Sequence, residues 1–463
     1  MLEILGVRLL APYVVLTLET YTTSIGVVLA GIAAGAALGG QAADRGDARR
    51  LPATLLIAGG LLAMATVPLV RALGEGAEGG GDGAALLVAL VALFPPAAVL
   101  SAVTPVMVKL QLGDLAVSGS VVGRLSAWAT AGALTGTFGT GFVLVPLLPT
   151  RVTVLLVGAA LCVAGLLVGL RLRALTRAGA TGLAAVVLAL VLAGVAAGSR
   201  CDVETVYYCA QVNDDPGRQG GRVLELDDLR HAYVDLDDPR HLEFAYVRWI
   251  GAAIDALPPR RGAVDAVFLG GGGFTLPRYL AATRRGSRSR VLEVDGGVVD
   301  LARERLGLRT GPGLEVRVGD GRVTLRDEPS RSADLVVGDA FGGRAIPWHL
   351  ATREFVADVR RVLRPGGVYA LNVIDRGGLA LARAEAATLL DTFTDVRLLA
   401  RADARGEPEA GNLVLLASDG GVPELRVPDD ARVWRRDEVE AFAGDAGVLR
   451  DDDAPADQLL TPR

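Results

Sequence analysis

Ala263-Val264-Asp265-Ala266-Val267-Phe268-Leu269 runs straight into Gly270-Gly271-Gly272-Gly273. The first seven residues read as a buried strand. The glycines mark a strand-to-helix turn at which a ligand can approach bare backbone. A glycine-rich turn alone is a weak signal, and the strands and acids after it give it weight. A second strand is predicted over Ser289–Val294, at βαβ distance, and leads into Glu293-Val294-Asp295. An acid there can accept hydrogen bonds from both ribose hydroxyls. Helix Gly297–Leu306 comes next, then strand Leu314–Val318 before Gly319-Asp320-Gly321, then strand Ala333–Val337 before Gly338-Asp339-Ala340-Phe341. Helix Thr352–Leu363 and strand Val368–Val373 continue the alternation. Carboxylates therefore stand at the C-terminal ends of successive parallel strands, where open α/β sheets bind ligands. One such acid is often only a helix N-cap. Four strand ends in register point instead to a nucleoside site.

Upstream, Glu204 to Tyr246 alternates as short strands with turns, and Gly221-Arg222-Val223-Leu224-Glu225-Leu226-Asp227-Asp228 reads as a strand entering a tight turn. Helical spacing over Leu242–Leu257 ends at Pro258-Pro259. The first 199 residues are different in kind. Of 463 residues 51% are hydrophobic, and nearly all the long apolar runs precede Ser199. Six segments meet or approach the roughly 20 apolar residues a bilayer requires: Tyr21–Ala43, Leu51–Val70, Ala84–Val108, Ser126–Leu148, Val152–Leu170 and Ala178–Ala197. Leu2–Leu18 is a shorter seventh, carrying Glu3 and Arg8, which are costly in lipid unless paired. A cleavable signal peptide is not expected. Gly31, Gly35 and Gly39 form a small-residue stripe suited to close helix packing.

The expected architecture is an all-α multi-pass membrane domain over 1–199, with about seven helices. A small β-hairpin subdomain plus helix is expected over 203–258, an α/β Rossmann-like domain of the S-adenosylmethionine-methyltransferase type over 259–420, and an extension over 421–463 read as mobile and solvated. Arg45, Arg49 and Arg50 mark one loop as cytoplasmic; Arg171, Arg173 and Arg177 mark another with the same parity. The soluble half then faces outward from a cell membrane. Of the three cysteines, Cys162 reads as inert packing; Cys201 and Cys209 are either unrelated thiols or a local disulfide, which needs an oxidising compartment. No zinc pattern accompanies them, and no metal is expected. A net charge of -5 gives no nucleic-acid surface. Lys109 is the single lysine.

Two resemblances extend this reading. Asp44-Arg45-Gly46-Asp47-Ala48-Arg49-Arg50 resembles one loop of major-facilitator transporters. Thr205–Ala417 resembles the spermidine synthase (polyamine aminopropyltransferase) family, whose membrane-fused members share this layout. The likeness rests on Gly221 to Asp227, on Glu243-Phe244-Ala245-Tyr246, and on Ile346-Pro347 through Leu350, Thr352 and Glu354-Phe355. It implies that Gly270, Gly271 and Gly272 pass under the nucleoside, that Glu293 holds the ribose, that Asp320 and Gly321 meet the adenine, and that Asp339 is the catalytic acid/base. Tyr246, His231 and Asp235 are candidate substrate-side residues, with Glu204, Tyr233, Asp237 and Asp238 also considered; a lone histidine such as His231 is more often structural. The cosubstrate implied is decarboxylated S-adenosylmethionine, or S-adenosylmethionine itself, with no permanently bound cofactor. Expected partners are a small-molecule amine such as putrescine and the lipid bilayer, with a homodimer through the soluble domain left open. The sequence departs from the family where an aspartate that binds the donor amine is replaced by Gly273, where Val247 and Arg248 follow Tyr246, and where Gly342 replaces a polyamine-anchoring aspartate. A methyltransferase on the same scaffold, or a non-enzymatic nucleoside sensor on a transporter-like membrane half, are the competing readings.

Overall fold

The computed structural model describes residues 1–14, 18–45, 48–76, 82–112, 118–172, 177–196, 199–259, 262–343 and 345–460. Gly46, Asp47 and Arg173 of the loops named above lie outside them. The chain forms two compact units, Met1–Cys209 with Leu226–Asp228, and Ala210–Glu225 with Leu229–Arg463.

The first unit is helical. Among the described residues, five helices are long and apolar enough to cross a membrane: Thr20–Arg45, Leu51–Gly74, Gly83–Gln111, Ser118–Leu147 and Thr150–Arg171. Of the other two expected segments, Leu2–Leu10 is a helix of nine residues and the last is the 20-residue helix Arg177–Ala196, within which Thr181–Val195 counts among the shorter apolar helices. Large apolar side chains point away from the bundle, with Trp128 73% and Phe142 78% exposed. The glycine stripe is a packing seam. A Cβ on Gly31 would come 2.9 Å from Ala97 Cβ, one on Gly39 would come 2.6 Å from Ala102 Cα, and one on Gly35 would run into the carbonyl of Ala98. The helices approach to backbone distance because nothing projects between them. Arg8 is not left unpaired: it donates to the carbonyls of Thr205 and Val206, both at 2.7 Å. Cys201 and Cys209 are joined by a disulfide, and Cys162 is free and buried. Strand β1 (Val203–Glu204) belongs to this unit.

The second unit opens with three neighbouring strands, β2 (Cys209–Asp214), β3 (Gly221–Leu226) and β4 (Leu229–Asp235). Helix Ala245–Ala256 leads from them into an eight-stranded sheet. Its members are β5 (Asp265–Leu269), β6 (Arg288–Glu293), β7 (Leu314–Val318), β8 (Ala333–Gly338), β9 (Leu363–Asp375), β10 (Asp395–Ala400), β11 (Gly411–Ser418) and β12 (Arg432–Trp434), in spatial order β12-β10-β11-β9-β8-β5-β6-β7. Strands β5 to β9 are parallel; β11, β10 and β12 add antiparallel pairings. Each parallel strand returns through a helix, and the winding reverses between β5 and β8. Ligands bind beyond the carboxyl ends of the strands at such a reversal. The near-continuous apolar runs of β5 and β8 result from burial on both faces.

The tail corrects one expectation. It is no solvated extension, because β12 pairs with β10 and helix Arg436–Ala443 buries Val439 and Phe442 in the main core. Asp451 takes both guanidinium nitrogens of Arg322, at 2.7 and 2.6 Å. The acidic run misled because its pairing partner lies 129 residues away.

The helix seam is testable by adding one methyl group. Gly35→Ala should lower the thermal midpoint of the detergent-solubilised chain, by the equivalent of about 1–3 kcal/mol of overpacking. Gly26→Ala, whose Cβ meets nothing within 4 Å, should not; equal effects would contradict the seam. A second stability outcome concerns Glu385. It is fully buried in helix Ala380–Thr392, and neither carboxyl oxygen has a hydrogen-bond partner among the described residues. Burial pushes its carboxyl well above the ordinary range. Its stabilising protonated form is complete below the unfolded value of about 4.3 and is lost as pH rises through the elevated folded value. Glu385→Gln should therefore raise the midpoint over the parent at pH 8 by more than at pH 5. An equal gain at both would exclude the titration.

Candidate active site

Two strand ends meet at the reversal. The N–H of Asp339, just past β8, donates to the carbonyl of Leu269 at 2.9 Å, and Gly270 begins the glycine turn at φ +92. A Cβ on Gly270 would collide with the Asp339 carbonyl. Only glycine suits both this backbone conformation and this approach. Gly272 is also left-handed, at φ +47.

The turn is held from below by Glu293 at the end of β6. Its carboxylate accepts from the N–H groups of Gly271 (2.6 Å), Gly272 (3.4 Å) and Asp295 (2.9 Å). Burial pushes this carboxyl above its ordinary value while those N–H groups oppose the shift. The next strand end lies alongside, since Gly319 N–H donates to the Glu293 carbonyl at 2.9 Å. Asp320 caps the short helix that starts at Gly321, accepting from Arg322 and Val323 N–H, and its second oxygen lies 2.9 Å from His349 Nε2. Burial raises the Asp320 carboxyl, but the Val323 N–H and His349 outweigh it and hold it below the ordinary range.

A cavity of about 460 Å³ opens in front of the turn, lined by Gly270 to Gly273, Asp339, Tyr246 and His231 among others. Asp339 is its chemical centre. Asn372 Nδ2 donates to Oδ1 at 2.8 Å, and the Tyr246 hydroxyl to Oδ2 at 3.3 Å. Asn412 Nδ2 in turn donates to Asn372 Oδ1 at 3.1 Å. Burial pushes the Asp339 carboxyl up to about 6, although Asn372 and Tyr246 pull it down. A carboxylate so placed is a stronger base than a solvated one and is still ionised at neutral pH. Burial lowers His231 to about 4, so it lines the wall as a neutral imidazole.

The predicted residues thus separate into groups. Gly270, Gly271, Gly272, Asp339, Tyr246 and His231 share the cavity. Glu293 supports the turn, and Asp320 with Gly321 occupies the adjacent strand end. Asp235 is elsewhere: buried, it is salt-bridged to Arg218 and accepts from the N–H groups of Asp237 and Asp238 at 2.9 Å. Tyr233 also lines the cavity, and its hydroxyl donates to Asp215 at 2.7 Å; Glu204 sits in the helical unit on Thr150 N–H at 2.6 Å. Four contributors were missed: Asn372, Asn412, Arg376 and Arg401, all of which line the cavity. Asn372 stood in the apolar run of Val368–Val373, where its amide was the available signal. Asn412, Arg376 and Arg401 lie beyond the motifs, and only the sheet order brings them here. The space beside Gly273 is also filled: a Cβ there would come 2.8 Å from Val234 and 2.9 Å from Ala232.

No family model matches this chain. It is 30% identical over 149 residues to a polyamine aminopropyltransferase of Vibrio vulnificus, covering 32% of this chain and 48% of that protein. It is 33% identical over 122 residues to one from Nitrosomonas europaea, covering 25% and 35%. The chain thus spans about half the length or less of these curated relatives. Among solved structures, a probable spermidine synthase from Corynebacterium glutamicum aligns with a TM-score of 0.49 and 27% identity, over 55% of this chain and 97% of that one. A Danio rerio eEF1A lysine and N-terminal methyltransferase is also similar, 27% identical over 132 residues, but the Vibrio and Nitrosomonas relatives, at 30% identity or more, are polyamine aminopropyltransferases, matched over part of this chain.

Proposed function

We propose that the chain is a membrane-anchored transferase that moves an alkyl group from an S-adenosylmethionine-derived donor to an amine, as an aminopropyltransferase does. The observation that carries this reading is Asp339, enclosed at the sheet reversal beside a glycine turn, with its carboxyl raised to about 6. In the reaction, the amine nitrogen attacks the methylene carbon next to the donor sulfonium. The carbon–sulfur bond breaks, its electron pair goes to sulfur, and neutral methylthioadenosine leaves. The amine proton passes to Asp339. A sulfonium is already a good leaving group, so the protein's part is to aim the nucleophile and take its proton. Asn412, Asn372 and Tyr246 fix where the carboxylate points. Glu293 and the glycine turn form the ribose side, and exposed Val294 and Val318 flank that strand end.

A methyltransferase is the second reading, favoured by Gly273. The aspartate that would hold the donor amine is missing and its space is occupied.

Labelled donor assays separate these readings. Decarboxylated S-adenosylmethionine and the intact form are each supplied with an amine panel. Methylthioadenosine release supports group transfer, S-adenosylhomocysteine release supports methyl transfer, and neither product with any amine would end both. Asp339→Asn should lower turnover by about 10²–10⁴-fold. Because the base must be ionised, kcat/KM should fall as pH drops through about 6. Asn372→Leu removes a hydrogen bond that favours the ionised form and should move that acid limb to higher pH. An unmoved limb would dissociate Asn372 from Asp339.

The five apolar helices and their outward apolar side chains support membrane insertion. The Arg-rich loops and the Cys201–Cys209 disulfide support an outward-facing α/β unit. That placement demands a donor outside the cytoplasm. Protease added to intact cells should cut the α/β unit; cutting only after lysis would reverse the orientation.

A further inference from the structure

The cavity in front of Asp339 has an unexpected charge balance. A linear diamine carries two positive charges, and burying the second beside the enzyme requires a counter-charge. Here the lining includes Arg230, Arg248, Arg376 and Arg401, against the carboxylates of Glu243 and Asp339 alone. Arg248 is answered by Asp430 at 2.6 Å. Arg230 lies over the Phe244 ring, 5.8 Å from its centroid. Arg376 and Arg401 form no salt bridge among the described residues.

The sheet explains why the last two stand together. Arg376 follows Asp375 at the end of β9, whose partner in β11 is Gly411. Arg401 follows Ala400 at the end of β10, where Leu399 pairs with Val414 of the same β11. The two arginines therefore flank Asn412 from either side, on the order of 10 Å apart at two strand spacings. Asn412 is the outer member of the hydrogen-bond chain that reaches Asp339 through Asn372. A cationic rim thus stands within one relay of the base. Facing it from the other elements are Glu243, which lies 3.0 Å from His241 Nε2, and Asp430, which is salt-bridged to Arg248 and whose carboxyl the charge of the nearby Arg401 also helps to hold low. Gly343, not an acid, lines the segment after Asp339.

We propose, resting on the transferase reading, that this cavity receives a carboxylate at Arg376 and Arg401 in place of the second ammonium of a polyamine. Guanidinium groups bind carboxylates through charge-assisted, bidentate hydrogen bonds. Two molecules could bring that carboxylate. One is an acceptor with an amine at one end and a carboxylate at the other. The second is a donor that keeps its α-carboxylate, in which case the transferred group is aminocarboxypropyl. In either case the same carbon–sulfur bond breaks and the same methylthioadenosine leaves.

The test uses the full chain in detergent micelles with two donors, decarboxylated and intact S-adenosylmethionine, and two acceptors, putrescine and 4-aminobutyrate. Equilibrium binding of each compound is measured alongside methylthioadenosine release. A carboxylate-bearing acceptor is expected to bind at least about tenfold more tightly than putrescine, or the intact donor at least about tenfold more tightly than the decarboxylated one. Whichever preference appears identifies the source. Arg376→Glu and Arg401→Glu, both at exposed positions, should each reduce or invert it, and the double variant should favour the cationic compound. The proposal is overturned if putrescine and the decarboxylated donor bind as well as or better than their carboxylate counterparts, or if the preference survives in the double variant. Binding judges this proposal without turnover. A carboxylate preference with no product from any pair would therefore sink the transferase reading while leaving the carboxylate site standing.

Discussion

The α/β unit depends on one close approach. The backbone at Gly270 lies against that of Asp339, and the hydrogen bond from Asp339 N–H to the Leu269 carbonyl ties the ends of β5 and β8 together. Because the winding reverses between these strands, their connections diverge and leave a crevice. The glycine turn forms one lip and Asp339 the other. A side chain at Gly270 would part the two lips, and the carboxyl would no longer stand over the turn. Glu293 fixes the turn from beneath, and the ribbon strand β4 closes it from the side through Ala232 and Val234.

From that approach the electrostatics follow. The carboxyl of Asp339 is removed from water by the same packing that positions it, and this raises its proton affinity. Tyr246 and Asn372 offset part of the penalty by hydrogen-bonding the ionised form. The balance leaves a base that is ionised at neutral pH and still willing to accept a proton. Asn412 extends the support one strand further, to the antiparallel edge where β10 and β11 bring two arginines to the rim. The Asp339 cavity and the arginines at its rim are thus brought together by sheet order as much as by local motif.

Much of this was legible in the sequence because strand ends carry local signals. The run Ala263–Leu269, the glycines after it and the acids after three further strands each report on a few neighbouring residues. Glu293 and Asp339 fell where expected for that reason. Asp320 shows the limit: the same residue type at the same place serves as a helix cap bonded to His349, and one sequence cannot distinguish that use from a ligand contact. Asp235 was close in sequence to the ribbon, but it turns inward to Arg218. Asn372, Arg376, Arg401 and Asn412 were not legible, because their meeting depends on β11 inserting between β9 and β10. The tail was misjudged for the same reason, since its strand and its acidic run find partners only across the sheet. In the helical unit the apolar lengths and the Gly31–Gly35–Gly39 stripe were read directly, whereas the partner of Arg8 lies almost two hundred residues away.

The central claim is that a nucleoside sits over the glycine turn with its sulfur facing Asp339. A cryo-electron microscopy map of the full chain with methylthioadenosine tests it most directly. The account predicts the ribose hydroxyls on Glu293 and the thioether directed into the Asp339 cavity. Density for the nucleoside at any other place, or in an orientation that turns the sulfur away from Asp339, would contradict it.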